Sequence, residues 1–425
     1  MDLIAFEEMK LSQGSFESLA WRRQASLFAT DGMRSFAQGY FSITYVVIAR
    51  NHGISALGLG VIAGISTAVG IGITHFLAQL AYRLGARTSL VLSGLLMAAT
   101  GTAVALAHST GAFYACALLG FLPPSGGMFV GALVEGVLAQ APPKRRTIVF
   151  ARNGLVVTVM GAAGALFASF PTVVGMSQAD GLSFLVWLYA GLGFALAGVS
   201  FSVIDFGARH GEPRFSGNAV VGSTGRKSSG SSGGRSDSAI RRLSFLFVLD
   251  SAGSGVVAKT LVIFWLRYHF NLSIEDLSGL YFGMDVLTAV SFPLAERISR
   301  RLGLLNTAVF THIPSSLLLA VVPFAPNALV AAALLLARSL LVEMDVPTRK
   351  SYVASIVRPE ERRLAASRTS MGRQAGRSFG PVIGGFLLSS VSAVAPFLAS
   401  AVMKISYDLL LWRSFKSASS PEAQV

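Results

Sequence analysis

Leu138–Arg152 reads LAQAPPKRRTIVFAR, and 216 positions later Ala354–Arg368 reads ASIVRPEERRLAASR. Both put a proline and a short basic turn between two long apolar runs. Phe28-Ala-Thr-Asp31 in the first apolar run likewise returns as Phe247-Val-Leu-Asp250 in the seventh, an offset of 219. One echo alone carries little. Two, at nearly one offset and in matching surroundings, indicate an internal repeat whose copies run parallel.

Composition says which solvent those copies meet. Hydrophobic residues make up 52% of the 425 positions and charged residues 13%, against roughly 25% charged in a soluble globular chain. So much apolar surface cannot be hidden from water, and lipid is the expected solvent for most of the chain. The 44 glycines fit this, because no three-residue period marks them as collagen-like and small residues let membrane helices approach closely. A lone cysteine, Cys116, excludes an intrachain disulfide. The formal charge is +14, yet the lysines and arginines fall in short clusters between apolar runs. That is a topology signal, and it excludes a nucleic-acid partner, which would want a basic face or tail. Asp2, Glu7 and Glu8 precede Lys10, and the first long apolar run starts only after Arg22 and Arg23, so no cleavable signal peptide is expected.

A membrane helix needs about 20 mainly apolar residues to cross roughly 30 Å of hydrocarbon. The pattern predicts twelve spans, near 26–48, 56–80, 88–109, 112–137, 148–169, 184–205, 243–266, 278–298, 303–323, 326–346, 367–388 and 391–412. With the N-terminus inside, the cytoplasmic connections collect Arg22, Arg23, Arg83, Arg87, Lys144 to Arg146, Arg297, Arg300, Arg301, Arg349, Lys350, Arg358, Arg362, Arg363, Arg413 and Lys416. The opposite side offers little beyond Arg50 and Arg267, as the positive-inside rule requires.

The expected organisation is an all-α integral membrane protein with two pseudo-symmetric six-helix bundles. A cytoplasmic segment covers 1–25, the first bundle 26–205, a cytoplasmic linker 206–242, the second bundle 243–412 and a cytoplasmic tail 413–425. The linker core, Ser216–Ser238, reads SGNAVVGSTGRKSSGSSGGRSDS and is too polar to fold alone. It is expected to be a tether whose charges fix topology and touch anionic lipid. Two parallel halves enclose a cavity that can open alternately to either side.

Ionisable residues inside the spans are costly unless paired or facing water, so each is a site candidate. Asp31 and Arg34, three apart, share a helix face; they form either a structural ion pair or a proton- or substrate-linked site. Asp250 and Lys259 are nine positions apart, about 13.5 Å of helix rise, too far for a local pair. Lys259, near the midplane, is a candidate for binding or coupling. Asp285 lies about two turns into the eighth span, where it can titrate. Arg373 and Arg377 share a face and want an acidic partner, water or an anionic ligand there.

Two spans carry breaks. The tenth ends in Glu343-Met-Asp345-Val-Pro347-Thr-Arg349, where proline opens the last turn and leaves a gate, a cation site or a hinge held by Asp345 and Arg349. The fourth holds Pro123-Pro-Ser-Gly-Gly127, followed by Glu135. His75 and His312 are expected to pack through satisfied hydrogen bonds, and Tyr281 and Tyr407 to pack likewise. No His/Cys/Asp/Glu cluster has metal-ligand spacing, so no metal is expected. Gly58-Leu-Gly60 lacks the third glycine of a dinucleotide fingerprint, Ala63 standing in its place, and Lys144–Arg146 lacks phosphate-loop glycines. Neither a cofactor nor an enzymatic activity is expected.

Across residues 20–416 the chain resembles the major facilitator superfamily. Ala78-Gln-Leu-Ala-Tyr82-Arg83-Leu-Gly85-Ala-Arg87 partly matches that family's loop pattern G-x-L-A-D-R-x-G-R-R, with Tyr82 at the usual acidic position. In the second half, Leu294-Ala-Glu296-Arg297 keeps the acidic–basic pair, followed by Arg300 and Arg301. Arg83, Arg87, Glu296 and Arg297 are therefore gating candidates, together with Glu135, Asp345, Pro347 and Arg349. Three longer stretches are similar to a poorly characterised group of bacterial permeases: Gly303-Leu-Leu-Asn306 leading to Thr311-His312-Ile-Pro314-Ser315; Met344-Asp345-Val-Pro347-Thr348-Arg349 leading to Ser351-Tyr352; and Lys404-Ile-Ser-Tyr407-Asp408. Pro124-Ser-Gly-Gly127 looks like that group's fourth span.

The resemblance implies alternating access driven by a gradient, without covalent chemistry, by a monomer in a bacterial inner membrane. The partners it implies are membrane lipids, a small-molecule or ion substrate and coupled protons. Asp31 and Asp285 are the proton candidates, while Arg34, Lys259, Arg373 and Arg377 lean toward an anionic or strongly polar solute. The expectation is proton-coupled export of a small organic solute. The alternatives are uptake or exchange of an anionic metabolite, and a receptor or scaffold that moves nothing.

Overall fold

The computed structural model describes residues 3–118, 128–138, 143–203, 234–344 and 362–415, which form helices joined by short turns. In chain order these are α1 (Leu3–Asn51), α2 (Ala56–Leu84), α3 (Ala86–Leu106), α4 (Thr110–Leu118), α5 (Met128–Leu138), α6 (Pro143–Phe167), the short α7 (Phe170–Val173) and α8 (Gln178–Val203). After residues 204–233 come α9 (Gly234–Val256), α10 (Lys259–His269), α11 (Ile274–Leu302), α12 (Leu304–Val321), α13 (Ala328–Val342), α14 (Arg362–Ser390) and α15 (Ala395–Phe415). The protein is an all-α, multi-spanning membrane protein. Seven of the described helical stretches are long and apolar enough to cross a bilayer, and Ala328–Val342 is apolar but shorter. Outside that set stand α1, α14 and α15, which carry charged residues along their length and so have lower mean hydropathy.

Two expected spans are interrupted. The fourth is described as α4 and α5, with Pro123–Gly127 outside the described residues. The seventh, read from sequence as unbroken, divides at Val257–Ala258, where Ala258 has φ −52 and ψ 145 and α10 starts anew at Lys259. Gly253, Gly255, Val256 and Val257 precede the break, and glycine and β-branched residues are weak helix formers.

Backbone geometry repeats along the chain. Gly85, between α2 and α3, has φ 89, and Gly303, between α11 and α12, has φ 79. Their ψ values of 156 and 164 complete a conformation open in practice only to glycine. On the opposite ends, Gly53 has φ 76 and Asn271 has φ 55. Each pair is separated by 218 positions, close to the offset of the sequence echoes.

Packing repeats as well. Helix α1 packs on α6 and α3 on α8; beyond the linker, α9 packs on α14 and α12 on α15. Where lipid surrounds the bundle there is no hydrophobic drive between helices, and close backbone approach supplies the attraction. Gly164 abuts the Phe36 carbonyl and Gly380, 216 positions on, abuts the Ala252 carbonyl, leaving neither room for a Cβ.

The two sides of the chain meet at one end. Gly60 of α2 lies against the Pro381 carbonyl of α14, Gly64 against the Ser378 carbonyl, and Gly385 against the Ala56 carbonyl. The Leu57 amide donates to the Ser389 hydroxyl at 2.8 Å. Beside them, the Arg50 guanidinium stands over the Phe264 and Tyr268 rings at 5.8 and 5.4 Å. Further along α2 the surroundings open: Gly72 faces empty space, and His75, Phe76 and Gln79 are exposed.

Candidate functional site

The break in the seventh span shapes a cavity of about 310 Å³. Val257 and Lys259 line it from the break, with Tyr281, Met284, Asp285, Thr288 and Phe292 from α11, Leu319 from α12, and Leu335, Arg338, Ser339, Val342 and Glu343 from α13 and its end. Starting a helix at Lys259 turns the ammonium and the positive end of the α10 dipole toward this space. Lys259 Nζ stands over the Tyr281 ring at 4.7 Å. On α11, Tyr281 and Asp285 are one turn apart and so share a face.

Lys259, Asp285, Arg338 and Glu343 thus put two positive and two negative groups, from three helices, around one cavity. Among the described residues, none of the four forms an ion pair within 4.0 Å, and buried Arg338 Nε has no hydrogen-bond partner. Charges at membrane depth are tolerated when they face an aqueous cavity or a ligand. An enclosure of this size falls at the small end of ligand pockets, roughly 300–1,000 Å³.

A separate charged network lies in the same half. Lys404 of α15 points its Nζ at Asp250 Oδ1 of α9 and at His312 Nε2 of α12, both at 3.3 Å. His312 Nδ1 meets the two carboxylate oxygens of Asp408 at 2.8 and 3.1 Å, and Asp408 is one turn from Lys404 on α15. All four are at most 5% exposed. They tie α9, α12 and α15 together through paired charges, the arrangement in which buried charge is tolerated. His312 is satisfied, in keeping with the packing role expected of it, and its partner is a carboxylate. His75 pairs with Gln79 at 2.8 Å on an exposed face.

In the first half, Asp31 accepts from Arg34 Nε at 2.6 Å and from Asn153 Nδ2 of α6 at 2.8 Å. Arg34 also donates to Gln38. Asp31 is 2% exposed, and Gly131 leaves space beside the guanidinium. The Asp31–Arg34 pair expected from spacing is present, reinforced by a third residue that spacing did not reveal.

The remaining candidates are spread out. Asp250 and Lys259, which spacing kept apart, have different partners: Lys404 and the Tyr281 ring. Arg373 lies over the Phe247 ring at 5.4 Å, while Arg377 is exposed. Arg87 covers the Phe201 ring at 4.2 Å, and Arg83 and Glu135 are exposed. Glu296 pairs with Arg300 at 2.6 Å on the surface rather than with Arg297, which is exposed. Asp345, Pro347 and Arg349 lie outside the described residues.

Sequence reasoning did not rank Arg338, Lys404, Asp408 or His312 as site residues, and it raised Glu343 only with Asp345, in the cation-site or gate reading of the proline-broken tenth span. A signal was there for several: Arg338 interrupts an apolar run, and Lys404 and Asp408 are one turn apart in another.

Comparison with known proteins identifies the architecture. The Major Facilitator Superfamily model matches residues 243–424. A bacterial homolog of the human lysosomal transporter Spinster, solved inward-facing and unoccupied, matches 95% of this chain and 99% of its own with a TM-score of 0.68 and 14% identity. The chain carries the major facilitator superfamily fold. Two more solved structures share this fold with it. The human organic anion transporter MFSD10 (TETRAN) is 16% identical, with a TM-score of 0.62 over 92% of this chain and 99% of its own. The nucleoside transporter NupG is 12% identical, with a TM-score of 0.66 over 93% and 98%. Among curated proteins, the uncharacterized membrane protein YJR124C of Saccharomyces cerevisiae is 25% identical over 175 residues, 41% of this chain and 39% of that relative's length. In this major facilitator fold the charged cavity belongs to the second half, the part that the family model matches.

Proposed function

We propose that this protein is a secondary transporter that carries a small solute across the membrane by alternating access. The observation that carries the reading is the cavity of Lys259, Asp285, Arg338 and Glu343 inside membrane-spanning helices. In this reading the twelve spans form two six-helix halves, 26–205 and 243–412, tethered by 206–242, of which the part from Gly234 onward already belongs to helix α9. The halves rock about the cavity. Repeated backbone geometry at Gly85 and Gly303, and at Gly53 and Asn271, supports the two-fold plan.

Contacts between α2 and α14 near Leu57 and Ser389, with open space beside Gly72, suit a state closed at the Arg50 end. Charge distribution assigns that end to the outside, so the state would be inward-facing, with both termini cytoplasmic. Of the candidates, Lys259 and Asp285 face solute. Asp31 with Arg34, and Asp250, act in coupling through their buried pairs, and Arg373 and Arg377 lie on the rocking helix α14. Arg83, Arg87, Glu135, Glu296, Arg297, Asp345, Pro347 and Arg349 serve the gates. The motif matches around Gly303, Met344 and Lys404 support a bacterial permease subgroup and an inner-membrane setting, and one chain is taken to hold the whole pathway as a monomer. Proton-coupled export is the favoured direction.

Purified chain in proteoliposomes, given a solute panel with and without a pH gradient, tests this. Gradient-dependent flux is expected. Absence of accumulation and exchange under every condition, with folding and orientation verified, overturns it. Lys259 and Arg338 favour a second reading, uptake or exchange of an anionic metabolite, which the same panel separates by direction and by the charge of the solute moved.

A further inference from the structure

We infer that the cavity in the second half selects amphoteric solutes, small molecules bearing one anionic and one cationic group. Lys259 and Arg338 take the anionic group, while Asp285 and Glu343 take the cationic one. The substrate role of this site rests on the transport reading above; the ligand chemistry rests on the wall itself.

Four charged groups line one cavity without closing a mutual ion pair within 4.0 Å among the described residues, and Arg338 keeps an unpartnered Nε. A simple anion would answer the cations and set its charge against two carboxylates. A simple cation has the mirror problem. A neutral polyol would leave Lys259 to be balanced by Asp285, and Arg338 by Glu343, only across gaps wider than 4.0 Å, without a direct partner for any of the four. Only a ligand of both signs answers the whole wall. The contrast with the Asp250–Lys404–His312–Asp408 network supports this, because there the charges close on each other at 2.8–3.3 Å. Tyr281 and Leu335 provide apolar surface for the body of the ligand, and the volume of about 310 Å³ limits it to a small one.

Matched trios of compounds test the inference on the full-length protein in nanodiscs. Each trio has one carbon skeleton: phenylalanine, phenylalaninamide and 3-phenylpropanoate; leucine, leucinamide and 4-methylpentanoate; and a dipeptide with its amide and its deaminated acid. Thermal stabilisation and isothermal titration give affinity, and proteoliposome counterflow gives transport. At least one amphoteric member should bind at least about ten-fold more tightly than both singly charged mates, the scale of losing one partner of a desolvated charge pair. Asp285→Asn should weaken that member about ten-fold or more while leaving the acid mate unchanged or tighter.

Equal binding of a singly charged mate, equal weakening of acid and amphoteric members by Asp285→Asn, or no amphoteric binding at all would overturn the inference. The wild-type trios decide even if the variant is poorly folded. Amphoteric binding without flux under any gradient would leave the inference standing and count against transport. Flux of another solute class with no amphoteric binding or competition would do the reverse.

Discussion

Asp31 and Asp250, 219 positions apart, are both buried aspartates on the first helix of their halves, yet each is neutralised in a different way. Asp31 takes its cation from its own helix, Arg34 one turn on, and a second bond from Asn153. The same offset carries Arg34 onto Gly253, and there the Lys404 stem from α15 runs past, its Cγ 3.3 Å from where a Cβ would sit. The cation has been kept while its source has moved to another helix. The neighbouring helix pairs diverge too. In the first half α3 and α8 close on small residues, with Gly94 against Ala197 and Gly193 against Ala98. In the second half α12 and α15 are joined by His312 and Asp408. Both halves keep close backbone contacts at glycines, and the second adds charges that link three helices. The charged cavity lies in that second half.

The largest test of this contrast is Lys404→Ala. It leaves Asp250 and His312 without the ammonium, and breaking a buried pair typically costs about 3–5 kcal/mol. Thermal unfolding in detergent should show the deepest loss of stability for this variant, and Lys404→Met with Asp250→Asn should recover most of it. Asp31→Asn is expected to cost less, about 1–3 kcal/mol, the range for one buried partner left unsatisfied, because Arg34 is 13% exposed and keeps Gln38. Equal losses in the two halves would remove the distinction drawn between them.

Next in size, Gly94→Val puts side-chain atoms where a Cβ already lies 2.6 Å from the Ala197 nitrogen. Overpacking of that kind costs about 1–3 kcal/mol. The same melt should register it, and a neutral result would mean that the α3–α8 seam is loose. Gly85→Ala and Gly303→Ala probe what the halves share. Each forces alanine into a glycine-only conformation at about 1–3 kcal/mol, and the two losses should agree within error if the turns are equivalent. Glu296→Ala, removing a pair whose side chains are 66% and 76% exposed, should shift stability by less than about 0.5 kcal/mol.

Several elements are legible in the order of residues alone. Lys259 is a single charge deep in an apolar run, and its cavity position follows from the cost of burying charge in lipid. The Asp31–Arg34 pair follows from helical spacing, and Gly85 lies at a short basic turn that repeats at Gly303. The break at Val257–Ala258 is not legible in that way, because its weak helix formers also occur in helices that continue, and only packing decides which give way. Lys404 and Asp408 stand out as part of a motif, yet nothing in one helix says which distant helix will answer its charges. Arg338 is hidden similarly, and Glu343, though noticed beside Asp345, could not be joined to Lys259 and Asp285, since facing a cavity depends on the helices around it.

The order of residues alone pointed to lipid as the solvent, to where long apolar helices lie, and to echoes at a nearly constant offset. These follow from local properties: apolar length against bilayer thickness, charge at loop ends, and residues returning at a constant interval. Only the packed fold brings Lys404 to Asp250, joins α12 to α15 through His312, and gathers four charges around one cavity with no ion pair between them within 4.0 Å among the described residues. Those outcomes depend on how helices far apart in sequence are rotated and tilted against one another. Packing sets that geometry, and no single helix encodes it.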